Sequence, residues 1–177
     1  MRVHIAFVVP PVKRAILAGE QTCESRLSVA LHPAARTLAG DRMLFKCRDA
    51  FAIARVSAVQ TYDWLNPEGI EALRRKYTRV VDGPVCDAAY WQGRRMCRFA
   101  VFLHFAELHR VIVPARLLPS TRFAWVQDYE PPLAVRAILD TAVAVARDSQ
   151  ALLEPDTAVH VPQVRQLPLS IPDGLDD

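Results

Sequence analysis

Glu24 and Arg26 stand two positions apart in the run Gly19-Glu20-Gln21-Thr22-Cys23-Glu24-Ser25-Arg26. On an extended strand alternate side chains share a face, so Thr22, Glu24 and Arg26 point one way and Cys23 and Ser25 the other. A carboxylate and a guanidinium set side by side can hydrogen-bond a base edge or a ribose; they can equally pair with each other and brace the fold. Catalysis needs more. A hydroxyl such as that of Thr22 becomes a nucleophile only beside a base, and the amines that could reach it are Lys13, one helix earlier, and Lys46, on a later strand. Each lysine also has a plainer use as a solvated or phosphate-facing charge. The candidates for chemistry are therefore Lys13, Thr22, Glu24 and Lys46.

A second set suits binding. Arg74-Arg75-Lys76-Tyr77 lies near the end of a predicted helix, and Tyr90-Trp91-Gln92-Gly93-Arg94-Arg95-Met96-Cys97-Arg98 interleaves two large rings with three guanidinium groups. A base stacked on an exposed ring gains about 1 to 3 kcal/mol, and arginine neutralises phosphate. The alternative is that Tyr90 or Trp91 plugs the core while the arginines reach water. Tyr90, Trp91, Arg94 and Arg95 are the residues this pattern offers to a nucleotide or nucleic acid. Trp64 and Trp125 read as core.

The elements that must hold these residues follow from the pattern of apolar and turn-forming positions. Residues 3–9 read as a buried strand stopped by Pro10-Pro11; a helix over 11–18 follows, with Gly19 as its terminator. Residues 22–26 form a strand, 27–39 a loop, and the Gly40-Asp41 turn opens a strand over 42–46. A long strand spans 51–61. Asn66-Pro67 starts a helix whose apolar side carries Ile70, Leu73 and Tyr77, and a short helix spans 84–92. Strands over 99–105, 108–113 and 123–127 complete the set. Beyond Pro131-Pro132, residues 133–149 form a helix that packs on its own barrel or on a second copy. Residues 154–177 are proline-rich and acidic and read as an extended tail.

The Gly19 to Arg26 run resembles the G-x-K-x-x-E-x-R signature of the ASCH domain, a PUA-like barrel tied to RNA and modified nucleotides. The resemblance continues through Gly40-Asp41-Arg42-Met43-Leu44-Phe45-Lys46, Ala54-Arg55-Val56-Ser57-Ala58-Val59 and Tyr90-Trp91-Gln92-Gly93-Arg94-Arg95, and covers roughly residues 3–126. It implies an α+β fold: a small mixed PUA-like β-barrel with two or three short flanking helices, here followed by a C-terminal helix and acidic tail. It also implies a cleft between barrel and helices that receives a nucleotide or an RNA strand. Some members of the family are amidohydrolases that remove an acyl group from modified cytidine, and others are ribonucleases. Both activities rest on a lysine in or near the signature. For the amidohydrolases the resemblance implies a lysine at the Gln21 position, a threonine nucleophile at the Glu24 position and a more distant glutamate. This chain has an amide and a carboxylate at the first two places. Binding without turnover is therefore expected, in a cleft lined by Gln21, Thr22, Glu24, Arg26 and Lys46. The alternatives are a small hydrolase and a non-catalytic module that dimerises through the 133–149 helix.

Composition bounds these readings. With 177 residues, 51% hydrophobic and 23% charged, the chain can bury a core. The division expected is a barrel domain over 1–130, the helix over 131–153 and the tail over 154–177. The tail carries Glu154, Asp156, Asp173, Asp176 and Asp177 against Arg165, a net −4, which leaves +7 of the overall +3 on residues 1–153. A basic barrel favours a polyanionic partner. Cys23, Cys47, Cys86 and Cys97 are too far apart for a C-x-x-C site, and the five histidines are scattered, so neither metal nor cofactor is expected. The apolar run at 5–9 is too short for a leader and no stretch approaches a membrane span, which points to the cytoplasm. The chain has no P-loop, G-x-G-x-x-G or G-x-S-x-G.

Overall fold

The computed structural model of the chain describes residues 2–81, 88–121 and 123–151. The acidic tail over 154–177, residues 84–87 of the expected short helix, and Cys86 lie outside the described residues. Among the described residues six strands form one sheet: β1 (Val3–Phe7), β2 (Cys23–Ser28), β3 (Arg42–Lys46), β4 (Ala50–Tyr62), β5 (Phe99–Val113) and β6 (Trp125–Tyr129). Their order is β2-β5-β4-β3-β1-β6; β1 and β3 run parallel and every other pair is antiparallel. The sheet curls into a half-barrel with four α-helices, α1 (Pro10–Ala18), α2 (Pro67–Val81), α3 (Ala88–Gln92) and α4 (Leu133–Ala151), which is the α+β architecture expected.

The signature is positioned by the end of α1. Pro10 opens that helix with extended Val9 as its cap, which shortens β1 by two residues relative to the expected strand. Gly19 closes it at φ 75°, where only glycine is unstrained, and the amides of Glu20 and Gln21 then donate to the Ala15 carbonyl at 2.9 and 3.2 Å. The chain enters β2 already anchored.

Two expectations about strands and loops need correction. The strands over 99–105 and 108–113 are one strand, β5, because a bulge absorbs the break: Glu107 takes φ 51° where the register against β4 slips between Ile53 and Arg55. Arg55 pairs with Glu107 across it at 2.6 Å. The loop over 27–39 is partly ordered, since β2 runs to Ser28 and Pro33–Arg36 forms a 3-10 turn whose Ala34 amide donates to His32 Nδ1 at 3.1 Å.

The core divides by sheet face. On one face α1 covers Phe45, Phe51, Phe105 and Trp125. On the other, α2 and α3 cover Phe102 with Ile70, Leu73, Tyr77 and Trp91, the Tyr77 and Phe102 rings stacking at 3.6 Å. Next to them α4 lays Val135 and Leu139 on Ile5, Leu44 and Ile53. Part of the α4 stripe that a dimer seam would use is in this way spent within the chain. His4 is fully buried: the Asp128 amide donates to its Nδ1 at 3.1 Å, so Nε2 carries the proton offered to Asp41 at 3.1 Å. Trp125 is 6% exposed, as expected, but Trp64 is 75% exposed and not core. It sits at φ 55° in the turn from β4 to α2, and that backbone swings its ring outward. Among the described residues no helix is long and apolar enough to cross a membrane.

Candidate functional site

A cleft of about 250 Å³ opens at the β2 edge of the sheet. Gln21, Glu24 and Arg26 form its floor, Val8, Val9 and Val12 one wall, Tyr90 and Arg94 the other. Because β2 is an edge strand, both of its faces contribute: Glu24 and Arg26 from the α1 side, Ser25 from the α3 side, where its hydroxyl lies 2.7 Å from that of Tyr90.

The floor is a chain of polar contacts. The Gln21 amide donates to the Cys23 carbonyl at 3.0 Å and to Glu24 Oε2 at 3.4 Å, and Arg26 Nη2 stands 2.9 Å from Glu24 Oε1. Arg26 Nη2 also donates to the Phe7 carbonyl at 3.2 Å, and the guanidinium carbon lies 5.8 Å from the Trp125 ring centre. Arg26 Nε is buried without a hydrogen-bond partner among the described residues. Burial raises the pKa of Glu24, against the pull of Arg26. His32 borders the same guanidinium. Its own burial, with the charge of Arg26, lowers its pKa to about 4, so it is neutral at physiological pH. On the opposite wall the Arg94 guanidinium lies 3.5 Å from the Tyr90 ring centre and donates to the Tyr90 carbonyl at 3.0 Å.

Five of the residues picked from sequence therefore meet in one place: Gln21, Glu24, Arg26, Tyr90 and Arg94. The others lie elsewhere. Thr22 is exposed beyond the cleft, its carbonyl accepting from the Phe105 amide. Lys46 donates to the Pro119 carbonyl at 3.4 Å behind the Phe7 ring, and Lys13 sits 5.2 Å over the Phe51 ring. Trp91 is 3% exposed under α2, and Arg95 faces a separate depression beside Glu71. Sequence reasoning missed Ser25, because nothing marked β2 as an edge. It missed the Val8, Val9 and Val12 wall because an apolar run before a helix reads as core.

Solved structures match this fold. The ASCH protein from Zymomonas mobilis superposes with a TM-score of 0.54 at 14% identity, covering 79% of this chain and 94% of that one. A serine-to-alanine mutant of it superposes with a TM-score of 0.59 at 12% identity, over 79% and 96%. The chain has the ASCH-domain fold. No family model matches the sequence, and no curated protein matches it either. The sequence resemblance puts Glu24 and Arg26, which are in contact on the cleft floor, at the signature glutamate and arginine, and Gln21 at the signature lysine. Its amide is already committed to Cys23 and Glu24.

Proposed function

We propose that this ASCH-fold chain binds RNA or a modified nucleotide in the Arg26 cleft and does not turn it over. The observation that carries the reading is the buried Arg26 Nε, an N–H donor with no partner among the described residues, on the floor of a cleft walled by an arginine-stacked tyrosine. A buried donor left unpaired costs about 1 to 3 kcal/mol, which a carbonyl or phosphate oxygen of a ligand would recover. The volume, about 250 Å³, suits a single base or nucleoside inside the cleft rather than a larger cofactor. Glu24 supplies an acceptor, or a donor when protonated, for a base edge. The hydrolase alternative has less behind it: Lys13 lies over the Phe51 ring and Lys46 donates to the Pro119 carbonyl, and the Ser25 and Tyr90 hydroxyls bond each other.

The test is a titration of the full chain with a fluorescent single-stranded RNA octamer and with cytidine monophosphate at increasing salt. Binding that weakens as salt rises is expected for the octamer. Absence of binding for both at low ionic strength would sink the proposal. Intact octamer recovered after long incubation is expected; cleavage would revive the hydrolase reading.

A further inference from the structure

Trp64 is an aromatic residue that the cleft does not use. It combines two features that core packing does not explain: its ring is 75% exposed, and its backbone has φ 55°, a conformation that bulky side chains rarely adopt. Such a conformation persists only where the surroundings impose it, and such sites cluster where a chain does its work. Here the neighbours are tied on both sides. The Leu65 amide donates to the Arg98 carbonyl at 2.9 Å, the Arg98 amide to the Ser28 carbonyl at 3.0 Å, and the Gly69 amide to Asn66 Oδ1 at 2.8 Å as α2 begins. The ring is not loose. It rests tilted on Phe99 at 5.6 Å, and the Arg98 guanidinium carbon stands 5.8 Å from its centre.

We infer that Trp64 and Arg98 form a second stacking platform for a single-stranded RNA, one nucleotide of which occupies the Arg26 cleft. The inference rests on the cleft reading and adds that the ligand is a strand rather than a free nucleoside. Position supports it. Tyr90 is held to Ser25 and Arg98 to Ser28, three places further along β2, a separation of about 10 Å at roughly 3.3 Å per residue. About three stacked nucleotides span that distance at roughly 3.4 Å each. Charge supports it as well. The turn that joins the two places carries Arg94 and Arg98, while Arg95 faces Glu71 in the separate depression and Asp63 is the carboxylate next to Trp64 in sequence. A ring on which a base stacks, with guanidinium groups nearby to meet the backbone, is how proteins hold single strands without reading their sequence.

The experiment compares the full chain with its Trp64→Ala, Trp64→Phe and Tyr90→Ala variants, each titrated with an RNA octamer and with cytidine monophosphate. Trp64→Ala should weaken octamer binding by about 5- to 150-fold, leave monophosphate binding unchanged, and be largely rescued in Trp64→Phe. Octamer affinity unchanged in Trp64→Ala overturns the platform; if Tyr90→Ala weakens it in the same series, the cleft reading survives alone. A loss in Trp64→Ala without one in Tyr90→Ala leaves Trp64 as an RNA contact but overturns the inference that the strand runs on into the cleft. A wild-type chain that binds no octamer at low salt overturns both.

Discussion

Arg26 Nη2 stands 2.9 Å from the Glu24 carboxylate and 3.2 Å from the Phe7 carbonyl, so one guanidinium joins edge strand β2 to β1 although three strands lie between them in the sheet. The carboxylate it touches is buried, and burial raises its pKa while Arg26 opposes the rise. The proposed recognition and the architecture meet in one side chain.

Arg26→Ala should therefore both abolish binding and cost about 3 to 5 kcal/mol of stability, since it leaves a buried carboxylate without its partner. The deficit has a pH signature. A raised folded pKa means that stability is fully present at low pH and is lost as pH rises through that pKa; removing Arg26 raises it further. Urea unfolding across pH 3 to 8, a range around the ordinary glutamate value of 4.5, should show the deficit shrinking in acid. A pH-independent deficit would mean that Glu24 does not depend on Arg26.

Tyr90→Phe should separate ring from hydroxyl. It removes the contact with Ser25 at 2.7 Å and should lower stability by about 0.5 to 1.5 kcal/mol, while the ring and its Arg94 partner stay in place. RNA affinity should hold within about twofold on the stacking account. A loss as large as that of Tyr90→Ala would assign recognition to the hydroxyl.

Gln21→Lys restores the signature amine. No release of cytidine from acylated cytidine above background is expected, followed by chromatography, because a carboxylate, Glu24, still stands where the amidohydrolase resemblance puts a threonine nucleophile. Measurable turnover would show that the missing lysine alone silenced the site.

Asp41 governs acid stability. Its burial favours the neutral form, but hydrogen bonds from the Leu38 amide, His4 and Arg2 outweigh that and lower its pKa from 3.8 to about 2. Because the folded value is depressed, the stabilisation is present above the ordinary value and is lost as pH falls from about 4 towards 2. Asp41→Asn should destabilise the chain by about 1 to 3 kcal/mol at neutral pH and flatten the acid limb of a thermal-melting profile.

Local chemistry was readable in the sequence where it was decided locally. Gly19 ends α1 where expected and the helix starts at Pro10, one residue before the expected Pro11, Asn66 caps α2, and the two-residue spacing of Glu24 and Arg26 puts them in contact, because each depends only on neighbours in the chain. The bulge at Glu107 was not readable, since its partner Arg55 is distant in sequence and a break in alternation looks the same as a turn. Tyr90 and Trp91 show the limit most plainly: adjacent rings of similar character, one turned to the cleft and one to the core, sorted only by where α3 docks. Trp64 was misread because a large ring is usually buried, and nothing in its neighbours announces a left-handed backbone.

The pairing of β1 with β6 sets an order on how the chain is made. Val3 leaves the ribosome long before Tyr129, the residue it pairs with, and buried His4 must wait for the Asp128 amide. Contacts this distant in sequence form late and slow folding. Trp125, which backs Arg26, arrives on that same last strand. A nascent chain released before β6 is synthesised would thus hold every signature residue from Gly19 to Arg26 and still lack a finished cleft.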